Sequence, residues 1–305
     1  MIPLLQKILP VMWNTINYDD FFAQILHQHF DPPPVVEGYG ILSGGNISVA
    51  AELRANGQRF FVKWVETAPA DLLPKEAAGL QCLAQTGTVR IPKIIGQGEA
   101  QGQQYLLLEY IQPIKPTTHT WTLLGQELAT LHAHTQPQFG LDYDNYIGSL
   151  PQANTPTTDG IQFWITQRLH PQAGLALYEE RLPTALYHQL EMLYEKLPDL
   201  LPRSKPALLH GDLWSGNVLA DTQARPVLVD PSVHYGLREA EIAFTRLFGG
   251  FEPAFYAAYQ EAFPMEDGFE QRYDLYQLYP LLVHLNLFGQ GYLSGIRQIV
   301  QKYVG

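Results

Sequence analysis

The amino-acid sequence predicts an α+β chain folded as two lobes. Residues 1–112 form an antiparallel sheet with one inserted helix, and residues 113–305 form a mainly helical lobe. Three observations lead there. The apolar pattern has a period of two on either side of Asn56-Gly57, and an Asn-Gly pair between such runs marks a hairpin because both residues accept positive φ. Beyond Pro113 and Pro116 the apolar spacing turns helical. At 305 residues, 46% hydrophobic and 16% charged, the chain is too long for one minimal domain and apolar enough for two bodies of roughly 100 to 200 residues with little disorder.

Taken in order, Phe21, Phe22, Ile25 and Leu26 form one helical stripe, which Pro32-Pro33-Pro34 ends. Strand-like runs follow from Val35, with the turn Ser43-Gly44-Gly45-Asn46, then over Ile47 to Arg54 and Arg59 to Val65. Leu72 to Gln85 reads as a helix, and Ile94-Ile95 and Tyr105 to Tyr110 as further strands. Helices are expected over Leu123–His134, Ile161–Leu169, Pro183–Leu197, Glu239–Phe248, Pro253–Phe263 and Tyr273–Phe288. The segment Phe139 to Asp159, rich in Gly, Pro, Asn and Thr, is longer than a minimal connection, and loops of that length are often functional.

A formal charge of −11 supplies no basic excess to neutralise phosphates, so neither nucleic acid nor an anionic membrane is an expected partner, and a small molecule is. The single cysteine, Cys82, can form neither an internal disulfide nor a thiolate metal site, which fits a buried thiol in a reducing cytoplasm. Met1 to Trp13 is apolar but has Lys7 as its only cation and no following cleavage site, so no signal peptide is read there. Gln277, Pro280, His284, Asn286 and Gln290 interrupt the most apolar stretch, Leu275 to Leu293, which therefore reads as a buried helix. Oligomeric state is not legible.

The strongest chemical signal is His210-Gly211-Asp212-Leu213-Trp214-Ser215-Gly216-Asn217, preceded by the apolar Ala207-Leu208-Leu209 and followed by Val227-Leu228-Val229, which delivers Asp230. Phosphoryl transfer to an alcohol needs a carboxylate at the acceptor oxygen and oxygen ligands for Mg²⁺, because positioning and charge neutralisation supply most of the catalysis. Asp212 fits the first role; Asn217 and Asp230 fit the second, in the order and spacing of a kinase catalytic loop. Gly211 replaces the Arg of that template and Asp230-Pro231-Ser232 its Asp-Phe-Gly, which points to a small-molecule kinase. His210 reads as structural support for the loop.

Upstream, Lys63 sits in the apolar run Phe60 to Trp64, and Glu76 lies on the following helix, the arrangement of a phosphate-holding cation oriented by a carboxylate. Gly44 and Gly45 stand before the Lys strand, where a loop can fold over phosphates with its backbone N–H groups. It is not a Walker A loop, since the Gly-Lys-Ser/Thr ending is missing.

With Phe61-Val62-Lys63, the loop from His210 to Asn217, Asp230-Pro231, Tyr235-Gly236-Leu237-Arg238-Glu239, Leu247-Phe248-Gly249-Gly250-Phe251 and Tyr276 to Gly289, the chain resembles the fructosamine kinase (ketosamine-3-kinase) family over nearly its whole length. Asn145-Tyr146-Ile147-Gly148 and Gln152-Ala153-Asn154 resemble it too. The resemblance implies a protein-kinase-like two-lobe fold, ATP and Mg²⁺ as cofactors, and phosphorylation of the O3 hydroxyl of ketoamines, free or on glycated lysine, whose unstable product then loses the sugar. It also implies that Leu108-Glu109-Tyr110-Ile111 offers adenine its backbone groups, with Glu109 and Ile111 as the binding positions. Leu237 and Glu241 stand where Asp is expected, and Ser232 where Ala is usual.

On the substrate side, Trp214 lies two residues past Asp212, and its indole suits the C–H face of a sugar or serves as a packing aromatic. Arg238, Glu239, His284 and Asn286 are polar residues in apolar helical surroundings; they can pair with substrate hydroxyls and amine, or Arg238 and Glu239 can belong to a structural network. Two other functions keep the same residues: a kinase of another small alcohol, aminoglycoside-like or choline-like, and a non-catalytic nucleotide-binding module. Neither the sugar nor the amine is decided by the sequence.

Overall fold

Backbone pairing in the N-terminal part follows from the turn chemistry. The computed structural model describes residues 16–42, 48–65 and 68–305. The Ser43-Gly44-Gly45-Asn46 turn, and with it the phosphate-loop assignment of Gly44 and Gly45, lies outside the described residues, as does the opening segment read as no signal peptide. Helix α1 (Tyr18–His29) is capped by Asn17 and precedes β1 (Val36–Leu42), β2 (Val49–Ala55), β3 (Gln58–Val65), helix α2 (Leu72–Gln85), β4 (Ile94–Ala100) and β5 (Gln103–Glu109). The strands form one antiparallel sheet in the order β1-β2-β3-β5-β4. Asn56 and Gly57 both take positive φ, 47° and 71°, as a two-residue hairpin requires, and pair Ala55 with Gln58.

Helices α1 and α2 cover opposite faces of this sheet. Phe60, Val62 and Trp64 of β3, with Tyr105 and Leu107 of β5, pack on Phe21, Phe22, Ile25 and Leu26 of α1. Val65, Leu106 and Leu108 pack on Leu72, Leu73, Ala77 and Leu80 of α2. Alternation in β3 therefore turns Lys63 toward α2, away from the α1 cluster. Between β3 and β4, β5 is buried on both faces, so its apolar run shows no alternation.

The remainder is helical around a second, larger core. It comprises α3 (Thr118–His132), the hairpin β6 (Asn145–Ile147) and β7 (Leu150–Gln152), α4 (Gly160–Phe163), a π-helical turn Trp164–Leu169, α5 (His170–Tyr178) and α6 (Thr184–Leu200). Short strands β8 (Ala207–Leu209), β9 (Val218–Ala220), β10 (Pro226–Leu228) and β11 (His234–Gly236) follow, then α7 (Arg238–Thr245), α8 (Pro253–Ala262), α9 (Phe269–Phe288) and α10 (Leu293–Val304). Helix α3 starts five residues before the expected Leu123, because Thr117 and Thr120 form a reciprocal capping box there. The α9 helix begins with the polar Glu270, Gln271, Arg272 and Asp274 and is buried over most of Leu275–Asn286; among the described residues no helix is long and apolar enough to cross a membrane.

Candidate active site

Two short antiparallel pairs build the floor of the site. β8 pairs with β11 and β9 with β10, so the loop His210–Asn217 leaves β8 and ends at β9, while Asp230 follows β10 and precedes β11. Backbone bonds stitch the two segments: Ser232 N–H donates to the His210 carbonyl at 2.8 Å and Val229 N–H to the Asn217 carbonyl at 3.1 Å. His210 is buried and bridges them, its Nε2–H donating to the Val229 carbonyl at 2.9 Å and its Nδ1 accepting from the Asp212 N–H at 3.3 Å. Burial holds its pKa below the ordinary histidine value and both nitrogens are engaged, so its place is structural. Gly211 has φ of 85°, and a Cβ there would lie 2.0 Å from the Ser232 carbonyl oxygen. Only glycine lets the loop pass that strand so closely.

The structure brings Lys63, Glu76, Asp212, Trp214, Asn217, Asp230 and His284 to one cleft of about 490 Å³. Lys63 Nζ donates to Glu76 Oε2 at 2.8 Å and Oε1 at 3.0 Å, and to Asp230 Oδ1 at 3.0 Å. Burial disfavours the ammonium, yet the two carboxylates more than offset it and hold the Lys63 pKa well above its usual value. Asp230 is pushed up by burial and drawn down further by Lys63, with a net lowering that keeps it ionised. Asp230 also has φ of 54°, the left-handed region that costs a non-glycine residue of order 1 kcal/mol and concentrates at functional sites. Asp212 goes the other way: burial, reinforced by the negative charge of Asp230, pushes its carboxyl up to about 7.

Asn217 donates its side-chain N–H to Asp212 Oδ2 at 3.0 Å and to the Asp212 carbonyl at 2.8 Å, which orients the carboxylate and leaves the amide oxygen of Asn217 as an acceptor. One amide oxygen and the Asp230 carboxylate are hard oxygen donors, a set that suits Mg²⁺, which takes one or two carboxylates and completes its shell with water and phosphate oxygens. These residues fit the implied metal.

Three assignments need correction. Arg238 is buried, and its guanidinium donates to the carbonyls of Phe263 and Pro264 and to the Tyr259 hydroxyl, fastening α7 to the turn after α8. Glu239 is buried in a bidentate pair with Arg272. Asn286 is buried on the other side of α9, where it donates to Gln172. None of the three lines the cleft, because helix rotation points each away from it. Glu109 and Ile111 lie at the end of β5, where the chain leaves the sheet; the Glu109 carboxylate is held by Arg90 at 2.8 Å, so any contact there falls to backbone atoms.

Residues not anticipated also build the site. The carboxylate of Glu241 is buried and accepts from the backbone N–H of His210 at 3.1 Å and of Gly211 at 2.6 Å, and from His132 Nε2 at 2.9 Å. This residue, which departs from the expected Asp, thus holds the catalytic loop from below. The hairpin β6–β7, in the segment expected to be a functional loop, donates Asn145 Nδ2 to the Val233 carbonyl at 2.8 Å and Gln152 Nε2 to the Ser232 carbonyl at 3.2 Å, steadying the backbone just after Asp230.

Residues 18–305 match the fructosamine kinase family profile. The chain belongs to the fructosamine kinase family. It is 37% identical over 296 residues to the "Probable ketoamine kinase" of Synechocystis sp., covering 96% of this chain and 97% of that one. It is 36% identical over 270 residues to the chloroplastic "Protein-ribulosamine 3-kinase" of Arabidopsis thaliana, covering 87% and 82%. The crystal structure of a "Putative fructosamine-3-kinase" from Haemophilus somnus superposes with a TM-score of 0.84 at 27% identity, over 93% of this chain and 97% of that chain. Aminoglycoside phosphotransferase APH(4)-Ia, at 18% identity and a TM-score of 0.62, shares the fold. Within the family, this chain has the kinase-like arrangement of an N-terminal antiparallel sheet and a mainly helical C-terminal region.

Proposed function

We propose that this chain is a cytoplasmic, Mg·ATP-dependent kinase that phosphorylates the O3 hydroxyl of ketoamines, fructosamines or ribulosamines, as a deglycation step. Support for the reaction type comes from the convergence of Lys63, Glu76, Asp212, Asn217 and Asp230 on one cleft, and support for the acceptor from the family and from the ketoamine kinase and ribulosamine 3-kinase names of its relatives. Lys63, oriented by Glu76, holds the phosphates of ATP, and backbone groups at Glu109 and Ile111 receive the adenine. Asn217 and Asp230 hold Mg²⁺, which when bound neutralises charge on the phosphate oxygens. Asp212 orients the attacking hydroxyl and accepts its proton as the γ-phosphoryl passes to the sugar oxygen and ADP leaves. The division between lobes falls near residue 112, with the N-terminal part supplying Lys63, Glu76 and the backbone at Glu109 and Ile111, and the helical part Asp212, Asn217 and Asp230.

The test is initial-rate ADP production with ribulosyl-lysine and fructosyl-lysine side by side, each with Mg·ATP. ADP release dependent on either ketoamine is the expected result. Release with an aminoglycoside or choline in place of both ketoamines would move the chain to another acceptor, and nucleotide binding without turnover would make it a binding module.

A further inference from the structure

The cleft is acidic and polar at one end and aromatic at the other. Its far wall is made by Phe248, Phe288, Tyr292 and His284, together with Val283 and Leu287. His284 sits at the centre, with ring centroids 4.4 Å from Phe248, 5.0 Å from Tyr292 and 5.3 Å from Phe288. Phe248 is 39% exposed and Phe288 48% exposed, unusual for large apolar rings that share one concave surface. The Phe248 position is also strained. Its φ is 55°, and Gly249 and Gly250 continue at 100° and 73°, so the chain leaves α7 through three left-handed residues that set this ring against His284. The phosphoryl-transfer chemistry makes no use of Leu247-Phe248-Gly249-Gly250-Phe251.

His284 Nδ1 donates to the Pro280 carbonyl at 2.7 Å, so the unprotonated Nε2 is the remaining polar atom of the ring. Burial lowers the pKa of this histidine and keeps it neutral. The wall therefore carries no charge of its own. The carboxylates lining the cleft, Glu76, Asp212 and Asp230, favour a cation, whereas its two ammonium groups are already paired, Lys63 with Glu76 and Asp230 and Lys75 with Asp71 at 3.0 Å.

A ketoamine places its nitrogen four bonds from the O3 oxygen, so a substrate held at Asp212 carries a protonated secondary amine only a short way into the cleft. His284 lines both the main cleft and the small recess beneath Asp212, and so spans that interval. We propose that Phe248, Phe288 and Tyr292, arrayed around His284, form the subsite for the amine substituent and select ketoamines built on an extended alkylamine over those built on an α-amine. The π faces attract the ammonium and cover a methylene chain. An α-carboxylate beside the nitrogen would meet the same π faces, the acidic end of the cleft, and no unpaired cation among the described lining residues.

This inference rests on the ketoamine-kinase reading, and the experiment separates the two. Turnover of ribulosyl-Nα-acetyl-lysine and ribulosyl-glycine is measured with the wild-type enzyme, Phe248→Ala, Phe248→Tyr and Phe288→Ala. Wild type is expected to favour the lysine derivative in kcat/KM. Phe248→Ala is expected to lower the ratio of the two kcat/KM values about ten-fold, mainly through KM for the lysine derivative, and Phe248→Tyr to restore it. Phe288→Ala, at an even more exposed ring, carries the same expectation should Phe248→Ala fold poorly. Equal losses on both substrates, or an unchanged ratio in both alanine variants, would overturn the subsite while leaving the kinase assignment standing. Absence of wild-type turnover with either substrate would remove the kinase reading and the subsite with it.

Discussion

Replacing Gly216 by alanine should disable Trp214 without deleting it. A Cβ on Gly216 would lie 2.2 Å from Cη2 and 2.4 Å from Cζ2 of the Trp214 ring, so the ring must leave its position across the loop. Gly216 does not have positive φ, so the backbone tolerates the substitution, and the obstructing atoms belong to a side chain that is already 39% exposed. The stability cost of Gly216→Ala should therefore stay below about 1 kcal/mol, against roughly 2 kcal/mol for Trp214→Ala, less than a fully buried indole would lose. The functional cost follows from the open face. A tryptophan side chain presents up to about 250 Å², of which about 100 Å² is exposed at Trp214, a residue that lines the cleft. A sugar covering half of that gains about 1.2 kcal/mol at about 25 cal/mol/Å², or roughly eight-fold in KM. Both single variants should raise KM for the ketoamine by about that factor and lower kcat by misplacing the hydroxyl relative to Asp212. The assay is steady-state kinetics in each substrate, paired with thermal unfolding with and without Mg·ATP. In the double variant, Gly216→Ala should add nothing to Trp214→Ala, since its effect runs through the ring. A full second loss in that background would show that the alanine acts on Asn217 or the loop backbone, and would refute stacking.

Other perturbations probe the remaining groups. Asp212→Asn should cost at least about two orders of magnitude in kcat while ATP affinity holds. The same substitution should raise Tm at pH 8: the folded-state pKa of Asp212 is elevated, so ionisation penalises the fold as pH rises from the unfolded value toward about 7, and the gain should vanish near pH 3. A pH-independent change in Tm would contradict that burial effect. Lys63→Met should weaken use of ATP and Glu76→Ala should do so more mildly, because one holds phosphate and the other orients the holder; simple addition of the two losses in the double variant would sink the pairing. Glu241→Gln should lower kcat and cost about 2 to 4 kcal/mol of stability, because an amide cannot accept from His132 and both loop N–H groups as the carboxylate does; unchanged kcat in the folded variant would free the loop from this support.

Legibility in the sequence tracked local chemistry. Asn56-Gly57 placed the β2–β3 hairpin, and the apolar stripe of α2 placed its ends at Leu72 and Gln85, because both signals depend on neighbouring residues alone. Helix α10 also carries an i, i+3, i+4 stripe in Ile296, Ile299 and Val300, a signal the reading passed over. α5 offered less, with Pro171 and Gly174 obscuring its period. The three substrate assignments at Arg238, Glu239 and Asn286 went astray because polarity within an apolar helix does not say which way the side chain points.

Local spacing carried the motif on which the proposed phosphoryl transfer rests: Asp212, Asn217 and Asp230 sit within nineteen residues of one another between short apolar strands. It also determined the partnership of Lys63 with Glu76, one helix away. Tertiary packing alone brings Asp230 to Lys63 across 167 positions, carries Glu241 under the loop His210–Asn217, and stands Phe248, His284 and Tyr292 round one end of the cleft. Such contacts depend on helix rotation and on how the sheet docks against the helices, quantities set by the packing of the whole core and carried by no local window of sequence.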